Sequence, residues 1–169
     1  MFSYRRATRT RSPRLITAAT IIPGADCAAV VVAAGHGKLE ARAVHGDLPA
    51  AVMGLQNEIG QGPCLDAVAQ TDQIRISDIT AEERWPLFHG RAAAIGAFST
   101  ICTPLAAGTA IYGSLSLVAK TAGALGDESA SLAAVFAAHA TIALAGAVSL
   151  RRLSTALDTR DVIGQAKAS

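Results

Sequence analysis

Two pairs of strand-like segments, each joined by a short glycine-containing turn, constrain the fold of this chain more than any other feature. In the first pair, an apolar run at 27–34 is followed, across Gly-His-Gly, by alternating apolar and charged residues at 38–46. In the second pair, "FSTICTPLAA" and "AIYGSLSLVAK" flank Gly108-Thr109. Alternation with a period of two is typical of a strand with one wet face. Turns this short join antiparallel neighbours, so the pairs predict an antiparallel sheet.

Helical patterns occupy most of the remaining chain. The predicted helices cover 14–22, 47–59, 64–70 and 81–96, a long helix begins at Asp127, and a third strand covers 73–79. Asp47 and Thr80 are the expected caps of the second and fourth helices. Pro104 is expected at a sheet edge or a bulge, because it cannot donate to a ladder. The order β-β-α-α-β-α-β-β-α predicts a single α+β domain with helices on both faces of the sheet.

The composition predicts an ordered core made of small side chains. Apolar residues make up 51% of the chain, charged residues 17% and aromatic residues only 4%. The net charge of +2 is uneven, because five arginines fall in the first fourteen residues. The expected state of residues 1–14 is a disordered basic tail. The alternative is a tail that binds RNA, DNA or anionic lipid.

The number of cysteines and the length of the apolar runs indicate the cellular compartment in which the chain is expected. Three cysteines, an odd number, argue against a disulfide framework and favour a reducing, cytoplasmic setting. Near the N-terminus, Pro23, Gly24 and Asp26 interrupt the apolar run before it reaches the roughly 18 residues of a membrane helix. We therefore expect neither an export signal nor a membrane anchor.

The long helix carries a heptad stripe. Its members are spaced alternately by four and three residues: Leu132, Phe136, His139, Ala143, Gly146, Leu150, Leu153 and Leu157. Val135 and Ile142 form a second stripe beside it. One stripe is expected to pack on the sheet and the other on a second copy of the chain; the alternative is that both are core. His139 is either a pH-sensing interface residue or, as expected, a satisfied buried histidine.

Four segments carry a resemblance to a known family. "LQNEIGQGPCLDAV", "RISDITAEERWPLF", "AAAIGAFSTICTPL" and "IYGSLSLVA" resemble a GAF domain, of the type found in actinobacterial GAF–ANTAR transcription antitermination regulators. The resemblance covers about residues 20–167. It implies an antiparallel sheet with the terminal helices on one face and, on the other, helices that cover a small-molecule pocket. It also implies a non-enzymatic sensor that forms a homodimer through its terminal helices.

The last residues resemble the opening of an ANTAR RNA-binding domain. That segment is "TRDVIGQAKAS", and it stops after the first residues of the match. The resemblance implies a tail at 1–14, a sensor domain at 15–150 and a truncated ANTAR start at 151–169. RNA binding through ANTAR is therefore not expected, and binding through the basic tail is the alternative.

The implied pocket has six candidate lining residues. Those on the covering helices are Cys64, Trp85 and Phe88, and those on the sheet are Thr100, Cys102 and Ser116. The polar trio on the sheet alternates with Ile101, Leu115 and Leu117, which predicts that the two sets face opposite ways. The ligand is expected to be a small molecule. The alternative is that side chains fill the space and it binds nothing.

Cys64 follows a Gly-x-Gly-Pro turn at the start of a predicted helix, where the helix dipole lowers a thiol pKa. We expect a small buried structural thiol, and the alternative is a thiol sensor. Free methionine sulfoxide reductases carry a cysteine after a similar glycine turn. Those enzymes need further cysteines in a segment where this chain has "PLFHGRAAAIGAF". Cys27 and Cys102 lack a CxxC spacing or a histidine pair, so no metal and no cofactor is expected.

Overall fold

The computed structural model describes residues 12–168. The predicted basic tail lies outside the described residues except for its last three positions. The helices are α1 (Ser12–Ala19), α2 (Leu48–Ile59), α3 (Pro63–Gln70), α4 (His89–Ile95) and α5 (Asp127–Ala168). The strands are β1 (Cys27–Ala33), β2 (Leu39–His45), β3 (Ile74–Ile76), β4 (Ser99–Ala107) and β5 (Ala110–Ala119). A single 3₁₀ turn spans Ile79–Ala81.

The five strands form one antiparallel sheet in the order β2-β1-β5-β4-β3. The hairpins β1–β2 and β4–β5 are those that the glycine turns predict. β1 and β5 join the two hairpins at the centre, where all of β1 except its last residue and all of β5 except its first three residues are buried. The prediction of an α+β domain built on an antiparallel sheet is confirmed.

The sheet separates two hydrophobic layers. On one face, α2, α3 and α4 cover side chains that include Cys102 and Val118. On the other face, α1 and α5 cover side chains that include Ile101 and Leu115. Because successive residues of a strand point to opposite faces, the polar and apolar sets separate as the sequence predicts.

The predicted helix at 81–96 is wrong in its first half. Asp78, rather than Thr80, caps this region: its carboxylate accepts from the Thr80 amide at 2.9 Å, and only the short 3₁₀ turn follows. Pro86 interrupts the helix because it lacks an amide hydrogen and disfavours helical geometry in the preceding residue. The helix resumes only at His89. Asp47 occupies the N-cap position of α2, but its side chain makes no capping bond.

Pro104 lies where the sheet has a free edge on one side of β4. β3 pairs only with Thr100–Cys102, so no residue within 12–168 pairs with Pro104 on that side, while Ser114 of β5 opposes it on the other. A register irregularity follows between Leu105 and Ala106. This position accommodates a residue that has no amide hydrogen to donate.

The helix α5 packs on the sheet through small side chains. Its buried residues are Ser129, Ala133, Ala137, Ala140 and Thr141. Alanine brings the helix axis close to the sheet, and the heptad analysis did not identify these positions. Leu132 and Phe136 are half-buried against the same layer.

The rest of the predicted stripe faces solvent in the single chain. Leu150, Leu153 and Leu157 are exposed, as are Val135 and Ile142 beside the stripe; Ile142 is 73% exposed. His139 is also exposed, and its Nδ1 lies 2.9 Å from the Val135 carbonyl. The expectation of a buried His139 is therefore wrong for the isolated chain. From residue 149 onward every described residue of α5 is exposed.

Within residues 12–168, α5 is the one helix long and apolar enough to cross a membrane by length and composition. Within its most apolar stretch 22% is buried inside the structure, where the helix packs on the sheet.

Candidate functional site

The turn between α2 and α3 places Cys64 at the start of α3. Gly60 ends α2 in the left-handed conformation, with φ of 70°. Gly62 has φ of 149°, and a Cβ there would lie 2.3 Å from the Gln56 side chain. The buried Gln56 Oε1 accepts a hydrogen bond from the Cys64 amide at 2.9 Å. The carboxamide of Gln56 therefore satisfies an amide that the first turn of α3 leaves unpaired.

Cys64 meets a second thiol on the sheet. Its Sγ lies 2.8 Å from Sγ of Cys102, which is in β4. Cys102 Sγ is in turn 3.9 Å from the Ser116 hydroxyl and 3.9 Å from the Thr100 hydroxyl. Thr100 donates its own hydrogen to the Leu117 carbonyl at 2.7 Å. Both sulfurs are thus enclosed among neutral polar groups.

The two thiols differ in acidity. The hydrogen bond from Cys102 lowers the pKa of Cys64; burial opposes this, while Ser116, Gln56 and Ser114 lower it further. Burial raises the pKa of Cys102, and the neighbouring Cys64 sulfur raises it again. Cys64 is therefore the thiol of the pair that loses its proton first.

Trp85 ties the covering segment to α3. Its indole Nε1 donates a hydrogen bond to Asp66 Oδ2 at 2.9 Å. The Arg84 guanidinium lies 4.6 Å from the centre of the Trp85 ring, and Phe88 packs against that ring edge to face at 6.4 Å. Arg84 also bonds Glu82, at 2.7 and 2.8 Å. This arrangement positions the segment that precedes α4 without a continuous helix.

Several buried polar atoms around this layer have no hydrogen-bond partner. Within the described residues these atoms are Gln61 Oε1, His89 Nδ1 and Ser114 Oγ. They come from the α2–α3 turn, the start of α4 and β5, which are all elements of the layer that contains Cys64. Ser114 lies near enough to favour the Cys64 thiolate, although it makes no hydrogen bond of ordinary length. A buried polar atom without a partner is costly, so each can bond a ligand or water that enters.

The six predicted pocket residues all lie in this layer and all are buried: Cys64, Trp85, Phe88, Thr100, Cys102 and Ser116. Trp85 and Phe88 pack within the core rather than forming an open lid. Sequence reasoning missed Gln56, Asp66 and Ser114. Ser114 could have been found, because it precedes Ser116 by two residues and must share its face. Gln56 has the weaker signal of one polar residue on the apolar side of α2.

The chemistry of this site is neutral. The buried polar residues of the described chain are serines, threonines and Gln56, and none of them is charged. The carboxylate of Asp66, in α3, already accepts a hydrogen bond from Trp85. Residues 12–168 contain no group of three or more metal-binding side chains. Such a site can hydrogen-bond an uncharged molecule, and its two thiols can undergo redox chemistry.

Solved structures share this fold at low sequence identity. The second GAF domain of DevS from Mycobacterium smegmatis is 22% identical, with a TM-score of 0.60 over 83% of this chain and 94% of that one. The GAF domain from an Acinetobacter phosphoenolpyruvate-protein phosphotransferase is 12% identical, with a TM-score of 0.64 over 82% of each chain. A type II free methionine-R-sulfoxide reductase from Thermoplasma acidophilum is 16% identical, with a TM-score of 0.58 over 79% and 89%.

Comparison with curated protein sequences finds no match. The family model of the GAF domain matches residues 14–145, which includes all five strands and the first part of α5. The chain therefore belongs to the GAF domain family.

Proposed function

We propose that this chain is a non-enzymatic sensor that binds a small neutral molecule between the sheet and helices α2–α4 and signals through a dimer of α5. GAF domains are in general sensory domains rather than enzymes, which supports the outline of this role. The observation that supports ligand binding is the set of buried polar atoms of Gln61, His89 and Ser114 that have no hydrogen-bond partner among the described residues.

The buried groups restrict the class of ligand. Hydroxyls, a carboxamide and thiols provide donors and acceptors, while charged side chains are absent from the buried residues of the described chain. An ion without a countercharge would lose more on leaving water than these dipoles return. A compact neutral molecule with both donor and acceptor groups fits this chemistry, as in most small apolar pockets with a few polar anchors.

The route from the ligand layer to α5 follows two polar contacts. Gln73, which follows α3, donates from Nε2 to the Thr103 hydroxyl and to the Ala130 carbonyl of α5, at 3.0 Å each. Arg75 of β3 forms an ion pair with Asp127, the first residue of α5. A ligand that shifts α3 therefore acts on groups that hold the start of α5. The ligand can shift the equilibrium between two arrangements of α5 only by the difference in its affinity for them.

The partner of the exposed stripe on α5 is proposed to be a second copy of this chain. Leu150, Leu153 and Leu157 continue the heptad spacing after the helix has left the sheet, and all three are exposed in the single chain. A heptad seam is matched by an identical seam in a parallel pair. The alternative is that α5, which is long and apolar enough to cross a membrane, contacts lipid instead.

The regulated process is proposed to be transcription antitermination, in the cytoplasm. The last eleven residues resemble the opening of an ANTAR domain, which supports this proposal. Residues 159–168 of that segment continue α5 without a break. Three free buried thiols fit a reducing compartment.

Two measurements test the proposal. Sedimentation equilibrium of the full chain should show a dimer that Leu153→Asp dissociates, while Leu87→Asp, an exposed leucine away from α5, leaves it intact. A monomeric wild-type chain, or binding to neutral lipid vesicles that Leu153→Asp abolishes, would contradict the dimer. A thermal-shift screen of small neutral metabolites should find a ligand whose stabilisation falls in Ser114→Ala.

A second candidate is reduction of free methionine sulfoxide, which the adjacent thiols of Cys64 and Cys102 favour. Each turnover would oxidise both thiols to a disulfide. An NADPH-coupled assay with thioredoxin and thioredoxin reductase on free methionine sulfoxide decides between the candidates, with Cys64→Ser as the inactive control. The sensor proposal expects no turnover above that control.

A further inference from the structure

We propose that Cys64 and Cys102 form a two-electron redox site that small hydroperoxides oxidise to a disulfide, which then fastens α3 to the sheet. The reaction goes beyond ligand sensing and needs neither a bound ligand nor a dimer. The observation behind this proposal is the 2.8 Å contact between the sulfurs of Cys64 and Cys102. The third cysteine, Cys27, takes no part in that contact.

The two sulfur atoms are close to the separation of a disulfide bond. A disulfide has sulfurs about 2.05 Å apart, so the pair must close by only about 0.8 Å. The two cysteines lie on elements that already pack together, since α3 covers β4. Cys27 is the internal comparison: it is also buried, at the start of β1, where its side chain packs beneath Gly46. Thus only one pair among the three cysteines is placed to react.

The chemistry assigns a role to each thiol. Cys64 is the attacking thiol, because it lies at the start of α3 and its neighbours favour its thiolate. The thiolate attacks the outer oxygen of the hydroperoxide, the O–O bond breaks, and the departing alkoxide or hydroxide takes up the proton that Cys64 lost. Cys64 becomes a sulfenic acid. Cys102 then attacks the Cys64 sulfur, the S–O bond breaks, and the hydroxide leaves as water with the proton of Cys102. The sum is two thiols and one hydroperoxide giving one disulfide, one alcohol or water, and one water.

Burial makes the site selective by size. Cys64 is 3% exposed and Cys102 is fully enclosed, so the oxidant must pass between the covering helices and the sheet. Hydrogen peroxide is close to water in size. Glutathione disulfide is a charged peptide that cannot enter without unfolding the layer. Oxidation should therefore be faster with hydrogen peroxide than with glutathione disulfide, whose exchange with a thiol depends on access to the sulfur.

The test uses the reduced full chain and three serine variants. Samples are treated with graded hydrogen peroxide, and remaining thiols are blocked under denaturing conditions. Tryptic peptides are then analysed by mass spectrometry. Wild type and Cys27→Ser should both yield the Cys64–Cys102 linked peptide and lose two hydrogen atoms in intact mass. Cys64→Ser and Cys102→Ser should yield none. Circular dichroism confirms that each variant is folded, and dithiothreitol should reverse the mass change.

Three outcomes would overturn the proposal. The first is a disulfide that includes Cys27 in the folded wild type. The second is oxidation of Cys64 to sulfinic acid without a cross-link, which would show that Cys102 does not reach it. The third is a wild-type chain that stays fully reduced at peroxide concentrations that oxidise free cysteine completely. Equal oxidation rates with glutathione disulfide and hydrogen peroxide would contradict the size selection.

Discussion

The indole of Trp85 donates a 2.9 Å hydrogen bond to the carboxylate of Asp66, and this contact joins the segment before α4 to α3. Trp85 is only 4% exposed, so the bond is formed largely out of water. It links two elements that cover the same sheet face. Entry of the proposed ligand, or of peroxide, into this layer would depend on how firmly these elements hold together.

Trp85→Phe is expected to lower the free energy of unfolding by about 2–4 kcal/mol. The change leaves Asp66 without its donor and removes part of a buried ring, and each effect costs on the order of 1–2 kcal/mol. Asp66→Asn keeps an oxygen acceptor and should cost less. Urea denaturation of both variants measures the difference. If Asp66→Asn is the more damaging change, the hydrogen bond does not hold the segment as described.

Gly62→Ala is expected to destabilise the chain by about 2 kcal/mol or more. Gly62 has φ of 149°, and its added Cβ would collide with Gln56. A residue forced into this backbone region costs on the order of 1–3 kcal/mol even before the collision. Gly54→Ala is the matched control, because Gly54 is inside α2 with nothing within 4 Å of its added Cβ. That control should gain roughly 0.5–1 kcal/mol. Equal effects in thermal melts would contradict the assigned role of the turn.

Oxidation of wild type should raise its melting temperature by about 10 °C. The Cys64–Cys102 bond closes a loop with a sequence separation of 38 residues. Chain entropy then gives about 4 kcal/mol, and each kcal/mol is worth roughly 2–4 °C at this size. Cys102→Ser treated with the same peroxide should not shift. A lower melting temperature on oxidation would show that the bond distorts the layer.

Replacing Ser114 by alanine should leave stability unchanged or raise it in the absence of ligand. The buried Ser114 hydroxyl has no hydrogen-bond partner in the part of the chain that the structure describes, so its removal costs no hydrogen bond. Thr100→Val is the contrasting variant, because it removes the bond to the Leu117 carbonyl and should cost about 1–2 kcal/mol. Chemical denaturation of both measures the difference. A large loss in Ser114→Ala would mean that its hydroxyl is bonded in solution.

Asp78 should make stability depend on pH in the acid range. Hydrogen bonds from the Thr80 hydroxyl and amide lower the pKa of Asp78 in the folded chain. A lowered folded pKa gives stability that is present above the ordinary pKa and is lost as pH falls through the folded value. The stability difference between wild type and Asp78→Ala should therefore be constant near neutral pH and narrow below about pH 4. A difference unchanged down to about pH 2 would contradict the role of the charged carboxylate.

The sheet could be predicted from the sequence because its signals are local. Alternation in 38–46 and the glycine turns depend only on neighbouring residues, and both hairpins formed where these indicated. The prediction of a continuous helix over 81–96 was wrong in part because two residues, Asp78 and Thr80, are each suited to cap a helix. Asp78 caps a short 3₁₀ turn instead, Pro86 interrupts the predicted helix, and Trp85 donates a tertiary hydrogen bond to Asp66.

The candidate site was predicted only in part, because its contacts are not local. Alternation placed Thr100, Cys102 and Ser116 on one face, and the structure agrees. Nothing in the sequence sets the height at which α3 crosses β4, and that height decides whether Cys64 meets Cys102. The alanines of α5 were missed for a related reason: heptad analysis favours large side chains, whereas close packing on a sheet favours small ones.

The last twenty described residues of α5 amplify small motions of the helix on the sheet. Residues 149–168 continue α5 as one uninterrupted helix and form a rod about 30 Å long, at ~1.5 Å per residue. A pivot of about 5° near residue 149, where the helix has left the sheet, would carry the far tip through about 3 Å, by the geometry of a rigid lever of that length. A sub-ångström adjustment beneath α3 could thus become, at the distal end, a displacement comparable to half a helical turn.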